Sequence, residues 1–329
     1  MEQDRKYRLM EKPLVLSDGS KAYRIQALKD FSDVKAGDPG GFVGSADNLS
    51  QEGDCWVYSG AYALDDSRIS GNAMIRNGRV CSHAQVSGNV CMTGGIIKED
   101  AQVSGDVRMM GGTIAEHACV SGNVVMKGQS GVRDDASVSG YTLLQGNACV
   151  QGHASVSDSV IKGMAVVDDN ARVMNVNMRD KSIICGNADV TDNRGVMMSG
   201  SSIIQGDAVI RSNIRMGDRA SIEGGHVTMD MDLCGNACIR GDGDYIALGE
   251  IDGSARAFRD NAGHMYVAME GEDCMKLEEF CRYMEEFPME PDRKRICMGA
   301  LEQAGQYLSG KLTLSDEDLN FGDFERMEM

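Results

Sequence analysis

Three nearly identical segments, AQVSGNVCM from Ala84, AQVSGDVRM from Ala101 and ACVSGNVVM from Ala118, follow one another at intervals of 17 residues. A period of this length constrains the architecture before local propensity does, because equivalent short units must stack on one another to bury their apolar faces. The alanine column continues at Ala136, Ala154, Ala171 and Ala188 with steps of 18, 18, 17 and 17, loosens around residues 191–210, and resumes at Ala220, Ala237 and Ala255.

A shorter period underlies the long one. An aliphatic residue recurs with a small or medium residue four positions later, as in Val103/Val107, Val120/Val124, Val132/Ala136, Val150/Ala154, Val167/Ala171, Leu233/Ala237 and Ile251/Ala255. Val43, Leu49, Val57, Ala63, Ile69 and Ile75 begin successive sixes at the start of the repeats. Three sixes make a coil of 18 residues, and one residue dropped at a corner makes 17. Each six reads as a short strand plus a turn. Between the strands stand GN, GD, DD and DN pairs, which tolerate the positive φ of a sharp corner.

This pattern predicts a mainly β chain, a single-stranded left-handed parallel β-helix of hexapeptide repeats, since right-handed β-helices use longer and less regular coils. Val86, Val103, Val120, Val138, Val156, Val173 and Val190 are expected to form one inner ridge. Twelve or so coils at about 4.8 Å each would give a rod of roughly 60 Å. The composition agrees: 40 glycines against 4 prolines and 5% aromatics suit many corners around a core of small and medium side chains. Met92, Met109 and Met126 fall at inward positions as flexible filler.

The repeats divide the chain into residues 1–42, 43–262 and 263–329. In the first, KPLVLSDGSKAYRIQAL reads as a capping β-hairpin around Asp18-Gly19. In the last, Leu277, Phe280, Cys281 and Met284, and again Cys297, Leu301, Ala304 and Leu308, recur at helical spacing. Pro288 and Pro291 separate the two sets, which predicts a helical hairpin that caps the repeats or pairs with a second copy. In the acidic tail beyond it, Leu319, Phe321 and Phe324 offer docking side chains.

Net charge is −17, made of 0 over residues 1–47, −8 over 48–262 and −9 over 263–329. This balance disfavours direct nucleic-acid or anionic-membrane binding and favours solubility or a basic partner. A DNA mimic is disfavoured because the signs are mixed along the repeats; a uniform strip of carboxylates on one face would reverse that. The N-terminus has no signal-peptide core and no run reaches membrane-spanning length, so a cytoplasmic protein is expected. Eleven cysteines without a C-x-x-C pair are expected to stay free in a reducing compartment.

YRIQALKDFSDVKAGDPGGFVGSADNLSQEGDCWV (residues 23–57), the repeats after it and the helix KLEEFCRYM resemble the YdcK-type hexapeptide-repeat proteins of bacterial genomes and prophages. The resemblance implies a single-stranded left-handed β-helix, often classed as a transferase without a settled activity, in a cytoplasmic or phage context.

Many proteins of this fold are coenzyme A-dependent acyltransferases, whose chemistry needs a histidine base with an orienting partner. Five histidines are available. His83, His117 and His153 occupy the corner slot that other coils fill with Asp100, Asp135, Asn170, Asn187, Asp207 and Asn236, so their simplest role is that of turn residues. Stacking would nevertheless align His83, Asp100, His117, Asp135 and His153 in one file, alternating imidazole with carboxylate. The catalytic candidates are therefore His83, His117 and His153, and the metal candidates His117, Asp100 and Asp135. Histidines two coils apart, at about 9.6 Å, cannot share one zinc with bonds of about 2 Å. His226 and His264 have no evident partner in the sequence. GDGDY (241–245) matches no phosphate-binding pattern, and no long ejected loop interrupts the repeats except the ragged Thr191–Ser202. The leading expectation is a non-enzymatic interaction protein, phage-derived, that inhibits or sequesters a host or defence component and uses no cofactor. The alternative is a coenzyme A-dependent acyltransferase.

Overall fold

The computed structural model describes residues 5–248, 255–260, 262–269 and 274–311. It divides into two compact units, residues 1–170 and 171–329.

The first unit opens with the expected hairpin. Strands β1 (Tyr7–Val15) and β2 (Lys21–Ala27) pair antiparallel from Tyr7↔Ala27 to Val15↔Lys21. Gly19 turns at φ +84°, and Asp18 Oδ1 accepts the Ser20 N–H at 2.9 Å. Strand β3 (Pro39–Val43) then converts one kind of sheet into another: it is antiparallel to β2 on one edge and parallel to Trp56–Ala63 on the other. Two glycines permit this close passage. A Cβ on Gly40 would lie 2.6 Å from the Trp56 ring and 2.5 Å from Ile25, and one on Gly41 would lie 2.3 Å from the Tyr58 carbonyl oxygen. Trp56 is packed edge-on by Tyr7 and Phe31.

Backbone carbonyls at the end of the coils meet buried donors. Lys6, 1% exposed, donates from Nζ to the carbonyl oxygens of Glu52, Gly53 and Cys55 at 3.2, 3.1 and 2.9 Å. The Tyr7 hydroxyl donates to the carbonyls of Ala46 and Leu49. These contacts plug the coil end with satisfied polar groups.

The coils follow the register read from the sequence. Val86, Val103, Val120, Val138 and Val156 stack in parallel pairs, each 1% exposed or less. A second column runs Ile75, Met92, Met109, Met126, Leu144, Ile161, and a third Val80, Ile97, Ile114, Val132, Val150, Val167. Three inward columns on a coil of 17–18 residues are the geometry of the left-handed β-helix. The coils are joined by N–H donation from one to the carbonyls of the next, as in Gln102 to Ala118 at 2.9 Å.

The second unit has the same columns: Met178, Met198, Met216 and Leu233 in one, Ile184, Ile204, Ile222 and Ile239 in another. The ragged Thr191–Ser202 segment enlarges one coil, so that Ile183 pairs with Ile203, and ejects no loop. Beyond Ile239 the structure departs from the repeat. Tyr245–Ala247, Arg256–Arg259, Met265–Ala268 and Met275–Lys276 form an antiparallel sheet. Ala255, assigned by spacing to another coil, instead lies beside this sheet, and its repeat partner Ile251 falls outside the described residues. One chance aliphatic-small pair is too short to distinguish a coil from an antiparallel strand.

Helices α1 (Leu277–Glu286) and α2 (Pro291–Leu308) form the expected hairpin, with Pro291 at the first helical position and the Glu290 side chain accepting the Arg293 N–H. Leu277, Phe280 and Met284 of α1 and Cys297, Leu301, Ala304 and Leu308 of α2 are buried together against Ile246, Ala257 and Val267 of the sheet. Cys281, on the same stripe, is half-buried. Leu319, Phe321 and Phe324 lie outside the described residues. No helix among the described residues is long and apolar enough to cross a membrane.

The expectation that every cysteine is free needs correction. Cys234, at a coil corner, and Cys274, just before α1, are joined in a disulfide across 40 residues of sequence, and the other nine are free. Sequence spacing concealed the pair, because the fold-back of the antiparallel sheet is what brings their Cα atoms to 6.3 Å.

Candidate functional site

One corner of the first unit gathers most of the chain's imidazoles. Two columns of side chains run along it. In the first, Asp65, Ser82, Glu99, Glu116 and Asp134 adopt left-handed φ between +56° and +60°. In the second, immediately after each, stand Asp66, His83, Asp100, His117 and Asp135, with His153 in the next coil.

The first column is structural. At four of these coil-to-coil steps the carboxylate of one coil receives the N–H of the corner residue in the next. Asp65 accepts the Ser82 N–H at 2.9 Å, Glu99 that of Glu116 at 2.8 Å, Glu116 that of Asp134 at 2.6 Å and Asp134 that of Gly152 at 2.8 Å. The second unit repeats the device from Asp180 to Gly200 and from Asp218 to Gly235. The charges respond. The Lys98 ammonium, followed by the Glu116 N–H, holds the Glu99 carboxyl below its ordinary range. Asp134 is held low chiefly by the Gly152 N–H.

The second column is the ladder. His83 faces Asp66 from Nε2 at 3.7 Å and Asp100 from Nδ1 at 3.3 Å. His117 faces Asp100 from Nε2 at 3.9 Å and Asp135 from Nδ1 at 3.4 Å. His153 faces Asp135 from Nδ1 at 3.5 Å. Each central carboxylate therefore divides its oxygens between two imidazoles. The main chain sets the spacing, for the His117 N–H donates to the Asp134 carbonyl at 2.9 Å and the Asp135 N–H to that of Gly152 at 3.0 Å. The histidine side chains are 66–70% exposed, so the row stands in solvent.

All five residues read from the sequence as one file, His83, Asp100, His117, Asp135 and His153, are brought together. The corner is acidic, but histidines interrupt one column and Ser82 and Gly152 the other, so it is not the uniform carboxylate strip a nucleic-acid mimic requires. Among the described residues, no group of three or more His, Cys, Asp or Glu side chains converges as a metal site.

The two remaining histidines differ from expectation. His264 does have a partner: its Nδ1 lies 2.9 Å from Asp260 Oδ2. The Asp260 side chain, 6% exposed, also accepts the N–H groups of Ala262 and His264 at 2.8 Å each. An Asp four residues before a His is visible in the sequence, but only the tight turn joins them. His226 is exposed, and its N–H donates to Asp242 at 2.7 Å.

Over 79 residues the chain is 43% identical to a protein of Escherichia coli (strain K12) named "Uncharacterized acetyltransferase YdcK". With the coils already seen, this identity is consistent with a hexapeptide-repeat β-helix protein similar, over that stretch, to YdcK. The match covers 22% of this chain and 24% of the relative, so the YdcK likeness spans about a quarter of the curated protein's length. No family model matches the chain.

Proposed function

We propose that the chain is a non-enzymatic interaction protein that uses the His–Asp ladder as a contact edge for a protein partner with a basic surface. The observation that supports this reading is the ladder's form: alternating imidazoles and carboxylates repeat over successive coils with their side chains exposed to solvent. A catalyst needs one oriented base in a water-excluding site; a contact edge needs length and solvent access. Inhibition or sequestration of a host or defence component, from a prophage setting, is the biological form of this proposal, and the cytoplasm its setting.

A triple variant His83→Asn/His117→Asn/His153→Asn tests it, because Asn170, Asn187 and Asn236 occupy the same corner slot in other coils. Proteins retained from a bacterial lysate by the immobilised native chain, and lost from the variant, are the expected result. Equal retention by both would overturn the proposal.

A second reading is coenzyme A-dependent acyl transfer, favoured by His264 and by the relative's name. With Asp260 holding Nδ1, the His264 Nε2 is the atom that would take the proton of an acceptor amine or hydroxyl as it attacks the thioester carbonyl, expelling the thiolate. His153, held on one side only by Asp135, is the ladder residue closest to that arrangement.

A further inference from the structure

The second unit holds a groove between the outward face of its coils and its antiparallel sheet, with a volume of about 520 Å³. Its floor is a file of outward residues, Met197, Arg215 and Asp232, which pair in register on three successive coils. Arg194 stands at the coil corner; Arg256 and Met269 come from the sheet side, and Met231 completes the apolar lining. Three guanidiniums thus meet two carboxylates, and both carboxylates are occupied. Asp230 accepts the Asn213 N–H and side-chain amide at 2.8 and 3.0 Å, and Asp232 lies 3.7 Å from Arg215.

Arg256 is half-buried. One of its terminal nitrogens donates to the Ala255 carbonyl at 2.9 Å, while its Nε is buried with no hydrogen-bond partner among the described residues. Burial pushes its pKa down. A desolvated donor without an acceptor, on a cation that lines an open groove, marks a place where an anion's oxygen would be stabilised. Arg194 forms no ion pair among the described residues and supplies a second fork from a different element. Guanidinium forks match phosphate oxygens bidentately, and methionine side chains adapt to irregular apolar ligands.

We propose that this groove binds a small phosphorylated molecule with an apolar arm, its phosphates held by Arg194 and Arg256 and its arm lying over Met197, Met231 and Met269. The site is independent of the ladder. Two guanidinium forks from different elements favour a diphosphate over a single carboxylate, which one fork would satisfy.

Titration calorimetry on the full chain at low salt, with pyrophosphate, geranyl diphosphate and citrate as probes, tests it. The expected result is one saturable site per chain that prefers geranyl diphosphate to pyrophosphate at least tenfold, because several methylenes are buried. Arg194→Ala, at an exposed position, is expected to weaken both by about tenfold or more with an unchanged melting curve. Arg256→Gln checks the second fork. Absence of binding at millimolar probe, equal binding by the Arg194→Ala/Arg256→Gln double variant, or citrate binding as tightly as the diphosphates would each overturn the proposal.

Discussion

The carboxylate of Glu99 accepts the backbone N–H of Glu116, one coil further along, at 2.8 Å, and Glu116 does the same for Asp134 at 2.6 Å. Each of these carboxylates therefore completes the hydrogen bonding of the next corner, as an N-cap completes a helix. Asp134 combines both demands, since it sits at φ +57° and caps Gly152. Asp134→Ala is expected to cost roughly 0.5–2 kcal/mol, by analogy with a lost cap. Asp134→Gly should cost less, because glycine relieves the backbone, and Asp134→Val more, because β-branching opposes left-handed φ. Urea midpoints of the three variants give the order.

The same corner sets a pH dependence. Glu99 and Asp134 are held below their ordinary carboxylate range in the folded chain. Groups with depressed folded values stabilise the fold above their unfolded pKa, and that contribution fades as pH falls through the folded values. Stability should thus be level near neutrality and decline below about pH 4. Glu99→Gln is expected to flatten part of that decline in melts recorded between pH 3 and 7.

Lys6 donates to three main-chain carbonyls where the coils begin. Lys6→Met keeps most of the volume but leaves those acceptors without their cation, at an expected cost of about 2–4 kcal/mol. Hydrogen exchange should quicken at residues 50–57 before it does at the coils around Val120.

Gly40 has no room for a methyl group between Ile25 and Trp56. Gly40→Ala is expected to lose roughly 1–3 kcal/mol through overpacking, with a change in tryptophan fluorescence, since Trp56 is the chain's one tryptophan.

The disulfide between Cys234 and Cys274 makes a countable prediction. Thiol titration of the denatured chain should find nine free thiols before reduction and eleven after it.

What could be read from the sequence was what the period repeats. The valine column from Val86 to Val156 was legible because identical neighbours recur at fixed steps, and so were the histidine file, the hairpin at Gly19 and the apolar stripes of the two helices. What could not be read depends on contacts outside the period. The sheet built from Tyr245 to Lys276 concealed itself behind one coil-like Ile251/Ala255 pair, and it creates both the Cys234–Cys274 link and the wall that brings Arg256 opposite Arg194. Nothing in the period marks the carboxylates at Glu99, Glu116 and Asp134 as acceptors; that role appears only when the next coil is stacked on them.

Thiol release from acetyl-coenzyme A, measured with a panel of amine and hydroxyl acceptors, tests most directly whether the ladder serves contact and not chemistry. If it is a contact edge, the native chain and the His153→Asn and His264→Asn variants should all release thiol at the rate of buffer alone. Release above that rate by the native chain, lost in the His153→Asn variant, would contradict it.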